Sequence, residues 1–289
     1  MEQDIKAIKL KDGRNLSYDE YGIPDGKPVI VFHGTPGSRF EGRLVHDAGV
    51  HQKVRCIAFD RPGIGLSDFK PHFNITDCQD DAIQLADYLN IDTFAVLGLS
   101  GGAPYAIAGA LKNPERISKV ALVSGVSPYN IPGATEGMVQ SDRISAILAR
   151  RAPIILRIFL SMMASSARKN PESFIASMMK DLPEPDKVVL SQRDISQWLV
   201  DTFLESVRSG TKGASRDYSL ITREWGFQLK DISQPVYLWH GESDNMTPLS
   251  MGKYMADNIP NCQSKFITNE SHISLIVNQA DEILNQLTV

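Results

Sequence analysis

The sequence predicts an α/β fold, a mostly parallel sheet of eight strands with helices on both of its faces. Short apolar runs rich in Val, Ile and Phe recur without clean alternation, the pattern of strands buried on both sides. Stretches of helical periodicity separate them, and strands alternating with helices define a parallel sheet. Most of the runs end in glycine or charge, which marks the turns that follow them.

The first two runs, Ile5 to Leu10 and Leu16 to Tyr21, are joined across Lys11-Asp12-Gly13-Arg14 and predict an antiparallel hairpin at the sheet's edge. Pro28 to Phe32, Val54 to Phe59, Phe94 to Leu99, Val120 to Val123, Pro235 to Trp239 and Ser264 to Ile267 supply the other strands. Helices are expected over Asp77 to Leu89, Pro104 to Leu111, Pro248 to Asn258 and Gln279 to Leu287. The alternation stops between Tyr129 and Ala214. There Ile144 to Ala164, Glu172 to Met179 and Gln192 to Val207 carry helical periodicity and no strand. Breaker-rich stretches bound this segment, Pro132-Gly133 at its start and Gly210-Thr211-Lys212-Gly213 at its end. The expected organisation is a core domain of residues 1–129 and 215–289 with an all-helical cap, residues 130–214, inserted in it.

With 289 residues, 42% of them apolar, the chain can bury a sizeable core. Its formal charge of -4, with acids and bases interspersed, leaves no basic stripe to follow a phosphate backbone, so no nucleic-acid partner is expected. The opening MEQDIKAIKLKDG lacks the apolar stretch of a secretion signal. The longest greasy segment, Ala152 to Ala164, is cut by Arg157 and too short to span a bilayer, so no membrane partner is expected either. Cys56, Cys78 and Cys262 are odd in number and in no CxxC spacing, which points away from a disulfide framework or a zinc site. A cytoplasmic monomer or homodimer is the resulting expectation.

Gly98-Leu99-Ser100-Gly101-Gly102 stands where a strand gives way to a helix. A serine on so sharp a turn takes strained backbone angles, and glycines relieve the crowding around it. Its hydroxyl then faces a helix N-terminus, where free amides and the dipole favour developing negative charge. The same turn can be a plain helix entry with serine as N-cap. The strand-turn-helix setting favours the nucleophile.

A nucleophilic serine needs a base, and the base an orienting acid. His272 lies beyond the last strand, in the loop Thr268-Asn269-Glu270-Ser271-His272 that leads into an apolar helix, and is the expected base. His33 and His240 each end a strand before glycine and read as structural hydrogen-bonders; His46, His51 and His72 read as surface residues. The loop Gly241 to Pro248 supplies the acid. Asp244, just before the helix that Pro248 opens, is preferred, with Glu242 as the alternative. The loop Ser124-Gly125-Val126-Ser127 contains no acid. Phe32-His33-Gly34-Thr35-Pro36-Gly37-Ser38 completes the set, because an oxyanion needs two donors and the amides of Gly101 and Thr35 are placed to supply them.

These residues together resemble the α/β-hydrolase superfamily, in the chain order Ser100, Asp244, His272. HGTPGS, the run Asp60-Arg61-Pro62-Gly63-Ile64-Gly65-Leu66-Ser67-Asp68, GLSGG and HGESD are similar to its signatures. The resemblance covers roughly Lys27 to Val126 and Gly213 onward, and it implies that the helical insert is the superfamily's mobile cap. Gly63-Ile64-Gly65 is not a dinucleotide loop, since Asp68 stands at the third glycine's place and Pro62 interrupts the turn.

The expected reaction is hydrolysis of a small-molecule carboxylic ester, with no metal and no organic cofactor. Gly34, Met162, Met163 and Trp198 are the expected substrate contacts. The cap's Met138, Met162, Met163, Met178 and Met179, with Phe159, Phe174 and Trp198, suit an adaptable apolar roof, and helix packing explains them as well. Glu172, Glu184 and Glu205 offer an alternative, an aminopeptidase in which one acid holds the substrate's amino group. The HGGPG loop of such relatives has Thr35 in place of its second glycine here. Carbon-carbon bond hydrolysis is a further alternative, and a small-ligand receptor with a vestigial triad is one of another class. Dehalogenases and epoxide hydrolases of this fold use Asp where this chain has Ser100.

Overall fold

Eight strands form one sheet in a computed structural model that describes residues 6–288. They are β1 Lys6–Lys9, β2 Asn15–Gly22, β3 Lys27–Phe32, β4 Val54–Phe59, β5 Phe94–Leu99, β6 Ile117–Val123, β7 Val236–Gly241 and β8 Cys262–Ile267, in the order β1-β2-β4-β3-β5-β6-β7-β8. β2 runs antiparallel to both β1 and β4, and every other neighbouring pair is parallel. The expected hairpin therefore sits at one edge of the sheet. Its first expected residue, Ile5, lies outside the described residues.

The lack of alternation has a direct cause: helices cover both faces. Ile30, Phe32, Ile57, Phe59, Val96 and Leu122 point to one side. There they meet α2 (Cys78–Tyr88), α3 (Ala103–Lys112) and α10 (Leu249–Asn258) through Leu85, Ala106 and Met251. Val29, Val31, Ala58, Leu97 and Val123 point to the other side, against α1 (His46–His51) and α11 (His272–Thr288) through Ala48, Ile283 and Leu284. Successive side chains go to opposite faces, so a doubly covered strand needs an apolar residue at every position.

Between β6 and β7 the chain forms only helices. They are α4 (Gln140–Arg151), α5 (Pro153–Lys169), α6 (Pro171–Met179), α7 (Glu184–Leu190), α8 (Arg193–Ser206) and α9 (Lys212–Ile221). Besides α1 and α7, which no expected helix covers, three details differ from expectation. Ile144 to Ala164 is not one helix but two, because Pro153 lacks the amide that would continue the ladder and forces Ala152 out of the helical region, to φ -147°. The segment's closing breakers do not end it. α9 starts within them, and its Gly213 lets the helix touch Gly63, whose carbonyl oxygen an added Cβ would strike. The final helix begins seven residues before Gln279, at His272.

Candidate active site

Ser100 directly follows β5 in the left-handed region, with φ +50°. That conformation is costly for a non-glycine residue and is held by its surroundings. Gly98 and Gly102 make the turn sterically possible. A Cβ on Gly98 would lie 2.9 Å from both Ala103 and Ala106, and one on Gly102 would collide with the Phe32 carbonyl.

His272 opens α11. The helix start is fixed by a carboxylate from another part of the chain: Asp186 of α7 accepts from the amides of Ile273 and Ser274, both at 2.9 Å, and from the Ser271 hydroxyl. Those amides are donors that the helix itself leaves unpaired, so Asp186 acts as a cap in trans. The His272 ring meets Asp244, with Nδ1 2.8 Å from Oδ2. Asp244 follows β7, and its other oxygen accepts from the amides of Met246 and Thr247. Glu242 instead stays at the surface and accepts from the Thr268 hydroxyl. Ser100 and His272 line the same cavity, and no hydrogen bond joins them among the described residues.

The electrostatics follow from this burial and pairing. Burial disfavours an imidazolium, but the Asp244 charge and its hydrogen bond outweigh that and raise His272 to about 9. Burial likewise opposes the Asp244 carboxylate, and the positive ring beside it still holds the group below its usual range. An Asp244 oxygen on Nδ1 leaves Nε2 as the ring's basic atom once the pair loses its proton.

Thr35 lies beside Gly101: a Cβ added to Gly101 would sit 2.6 Å from Thr35 Oγ1 and 3.1 Å from Thr35 N. The Thr35 amide donates to no protein acceptor among the described residues. Its side chain is held from below. Thr35 Oγ1 donates to Asp217 of α9 at 2.6 Å, and Asp217 also takes a hydrogen bond from Tyr105 and two from Arg61. Arg61 completes the clamp by donating to the carbonyls of His33 and Gly34. His33 is buried within this network. Its Nδ1 meets the Gly34 carbonyl at 2.8 Å, and burial with the Arg61 charge depresses it to about 3. His240 meets the Thr247 carbonyl at 2.7 Å, and His46, His51 and His72 are exposed.

The cavity above these groups measures about 540 Å³. Gly34, Met163 and Trp198 line it, as do Phe159, Phe174 and Met178. Met162 does not. It is one position from Met163, which turns it about 100° around α5, and it points outward with 66% of its surface exposed. Met138 is buried in the main core instead. The acids singled out in the helical segment are also elsewhere. Glu172 and Glu184 are exposed, and Glu205 is paired with Arg39 at 2.6 Å.

Three residues at the site carry no signal in the sequence. Thr247 places its hydroxyl 2.8 Å from Asp244 Oδ2 and 3.1 Å from His272 Nδ1, bridging the two side chains. Glu41 accepts from the Gly34 amide at 2.7 Å, and burial raises it to about 7. Asp142 of α4 lines the cavity half-buried, raised to about 6 by burial against the attraction of His272. Each is an ordinary polar residue until the fold brings it to the cavity.

A model of the alpha/beta hydrolase fold family matches residues 27–279, and the chain belongs to that family. A proline iminopeptidase from Xylella fastidiosa is 36% identical over 120 residues, which is 39% of this chain and 37% of that protein. The chain thus matches little more than a third of that relative's length. A non-heme chloroperoxidase from Streptomyces lividans is 28% identical over 84% of this chain and 83% of its own. Among solved structures, a thermophilic esterase from Thermogutta terrifontis superposes with a TM-score of 0.70 at 20% identity, covering 99% of this chain and 100% of its own. That likeness is one of fold.

Proposed function

We propose that the protein is a serine hydrolase that cleaves carboxylic esters of small to medium, largely apolar substrates through an acyl-enzyme intermediate. The observation that carries this reading is the meeting, in one cavity, of a strained Ser100 and the Asp244–His272 pair. His272 Nε2 takes the Ser100 proton as Oγ attacks the ester carbonyl, and the oxyanion rests on the amides of Gly101 and Thr35. The alcohol leaves with that proton. Water, deprotonated by the same imidazole, then attacks the acyl group and releases the acid and Ser100. Helices α4 to α9 serve as the cap. Their apolar lining, Phe159, Met163, Phe174 and Trp198, suits an apolar acyl chain.

Aminopeptidase action is the second reading. It draws on the Asp142 carboxylate in the cavity, which can attract a substrate ammonium, and on the partial match to a proline iminopeptidase. Turnover of a panel of p-nitrophenyl esters and of proline p-nitroanilide by the wild type and Ser100→Ala separates the readings. Ester cleavage by the wild type, lost by at least about 10⁴-fold in Ser100→Ala, is expected. Preference for the anilide replaces the ester reading, and equal rates in the two proteins remove the serine mechanism. A slow single turnover with retained product favours a receptor.

A further inference from the structure

The outward face of α5 is apolar. Ile154, Ile155 and Ile158 are 69%, 55% and 57% exposed, and with Met162 they fall within an arc of about 100° around the helix. The opposite face of the same helix, through Phe159, Leu160 and Met163, lines the cavity. One layer of helix therefore separates the cavity from a greasy outer stripe. Exposed large apolar side chains are ordinary when scattered, and their clustering on a single helix face is what marks an interaction surface.

The charge around the stripe indicates what covers it. From Arg143 to Lys169 the chain carries six basic residues and no acid. Arg150 and Arg151 end α4 just before the stripe, and Arg157 stands beside Ile158; all three are exposed, and none forms an ion pair among the described residues. Arg43, Arg116 and Arg208, by contrast, are paired with Asp201, Asp87 and Glu205. A second copy seated face to face would set arginines against arginines. An anionic lipid surface accepts both parts, the isoleucines among acyl chains and the arginines at headgroups.

We propose that α5 docks on an anionic membrane surface, with its isoleucine stripe inserted at the headgroup boundary and the cavity's roof resting on the bilayer. No described helix is long and apolar enough to cross a membrane. The expectation of no membrane partner rested on that spanning length, which a helix lying in the interface does not need.

Co-sedimentation of the full chain with vesicles tests the proposal. Binding is expected to phosphatidylglycerol–phosphatidylcholine vesicles at low salt, and at least about tenfold weaker on phosphatidylcholine alone. The triple variant Ile154→Ser, Ile155→Ser, Ile158→Ser should lose at least about tenfold in partitioning with little change in unfolding temperature, because more than half of each residue's surface already faces water. Arg151→Glu with Arg157→Glu should lose as much through charge alone, so the test survives if the first variant folds poorly. A wild type that stays with the supernatant, or variants that bind as well as it does, overturns the proposal. So does concentration-dependent dimerisation that the serine variant abolishes while vesicles capture nothing, which assigns the face to a second copy.

Discussion

In β5 every residue from Phe94 to Leu99 is buried among apolar neighbours, whereas α7, α8 and α9 each send one buried carboxylate onto the sheet domain. Asp186 caps the helix that carries His272, Glu205 pairs with Arg39, and Asp217 holds Arg61 and Thr35. The two regions are thus organised by different forces. Apolar packing is undirected and makes the strand ends a fixed rim. A buried carboxylate is directional, and without it the partner group is left desolvated and unpaired. Helices placed this way have a defined seat on the loops that surround Ser100. The rim thus positions Ser100, Asp244 and His272, and the helical segment locks the loops around them.

The sharpest way to break this division is to disturb the rim. Asp244→Asn should lower turnover by about 10⁴-fold by setting the wrong tautomer at His272, while Glu242→Gln, exposed and away from the ring, should leave it nearly unchanged. Equal losses in the two would show that the pairing of Asp244 with His272 carries no chemistry. The wild-type profile gives the same pair a sign. Because His272 is raised to about 9, kcat/KM should climb about tenfold per pH unit from pH 6 to pH 8 as the base form is populated. The pair's contribution to stability runs the other way: it is fully present below the ordinary histidine value of 6.5 and lost as pH rises through about 9. Urea titrations at pH 6 and pH 10 measure it.

Next in size is the lock. Asp217→Ala leaves the fully buried Arg61 guanidinium without its counter-charge and frees the Thr35 hydroxyl, which should cost about 3 to 5 kcal/mol in urea unfolding. An exposed pair sets the contrast. Asp80→Ala removes the partner of Lys112 at the surface and should cost no more than about 1 kcal/mol. Similar losses in both would mean that the helices rest on the sheet by apolar contact alone.

The same contrast explains what the sequence made legible. Strands β3 to β7 were readable because double burial writes itself as largely apolar runs, whereas β1, β2 and β8 keep exposed polar residues and leave a weaker trace; Ser100, Asp244 and His272 stood out by their places beyond strand ends. α7 went unread because Glu184-Pro185-Asp186-Lys187 looks like a polar loop, and α9 because Gly213 reads as a breaker when it serves close contact with Gly63. Asp186 and Asp217 were illegible for a related reason. Asp217 meets Thr35 across 182 positions of sequence, and no local pattern records such a meeting. Packing leaves a periodic trace along the chain, and a single buried ion pair does not.

The smallest expected effect lies in the roof, where neighbouring methionines face opposite ways. Met163 lines the cavity beside Phe159 and Phe174, so Met163→Ala enlarges the space above Ser100 and removes apolar contact from a bound acyl chain. Pocket contacts of about a methylene or two are worth roughly tenfold in discrimination. The ratio of kcat/KM for long over short p-nitrophenyl esters should therefore shift by about tenfold, with the rate on the acetate little changed. Met162→Ala is the internal control, since its side chain is in solvent and meets no soluble substrate. If the two alanines shift the ratio equally, chain length is not read by the inner face of α5, and the helical segment's part at the site reduces to locking the loops beneath it.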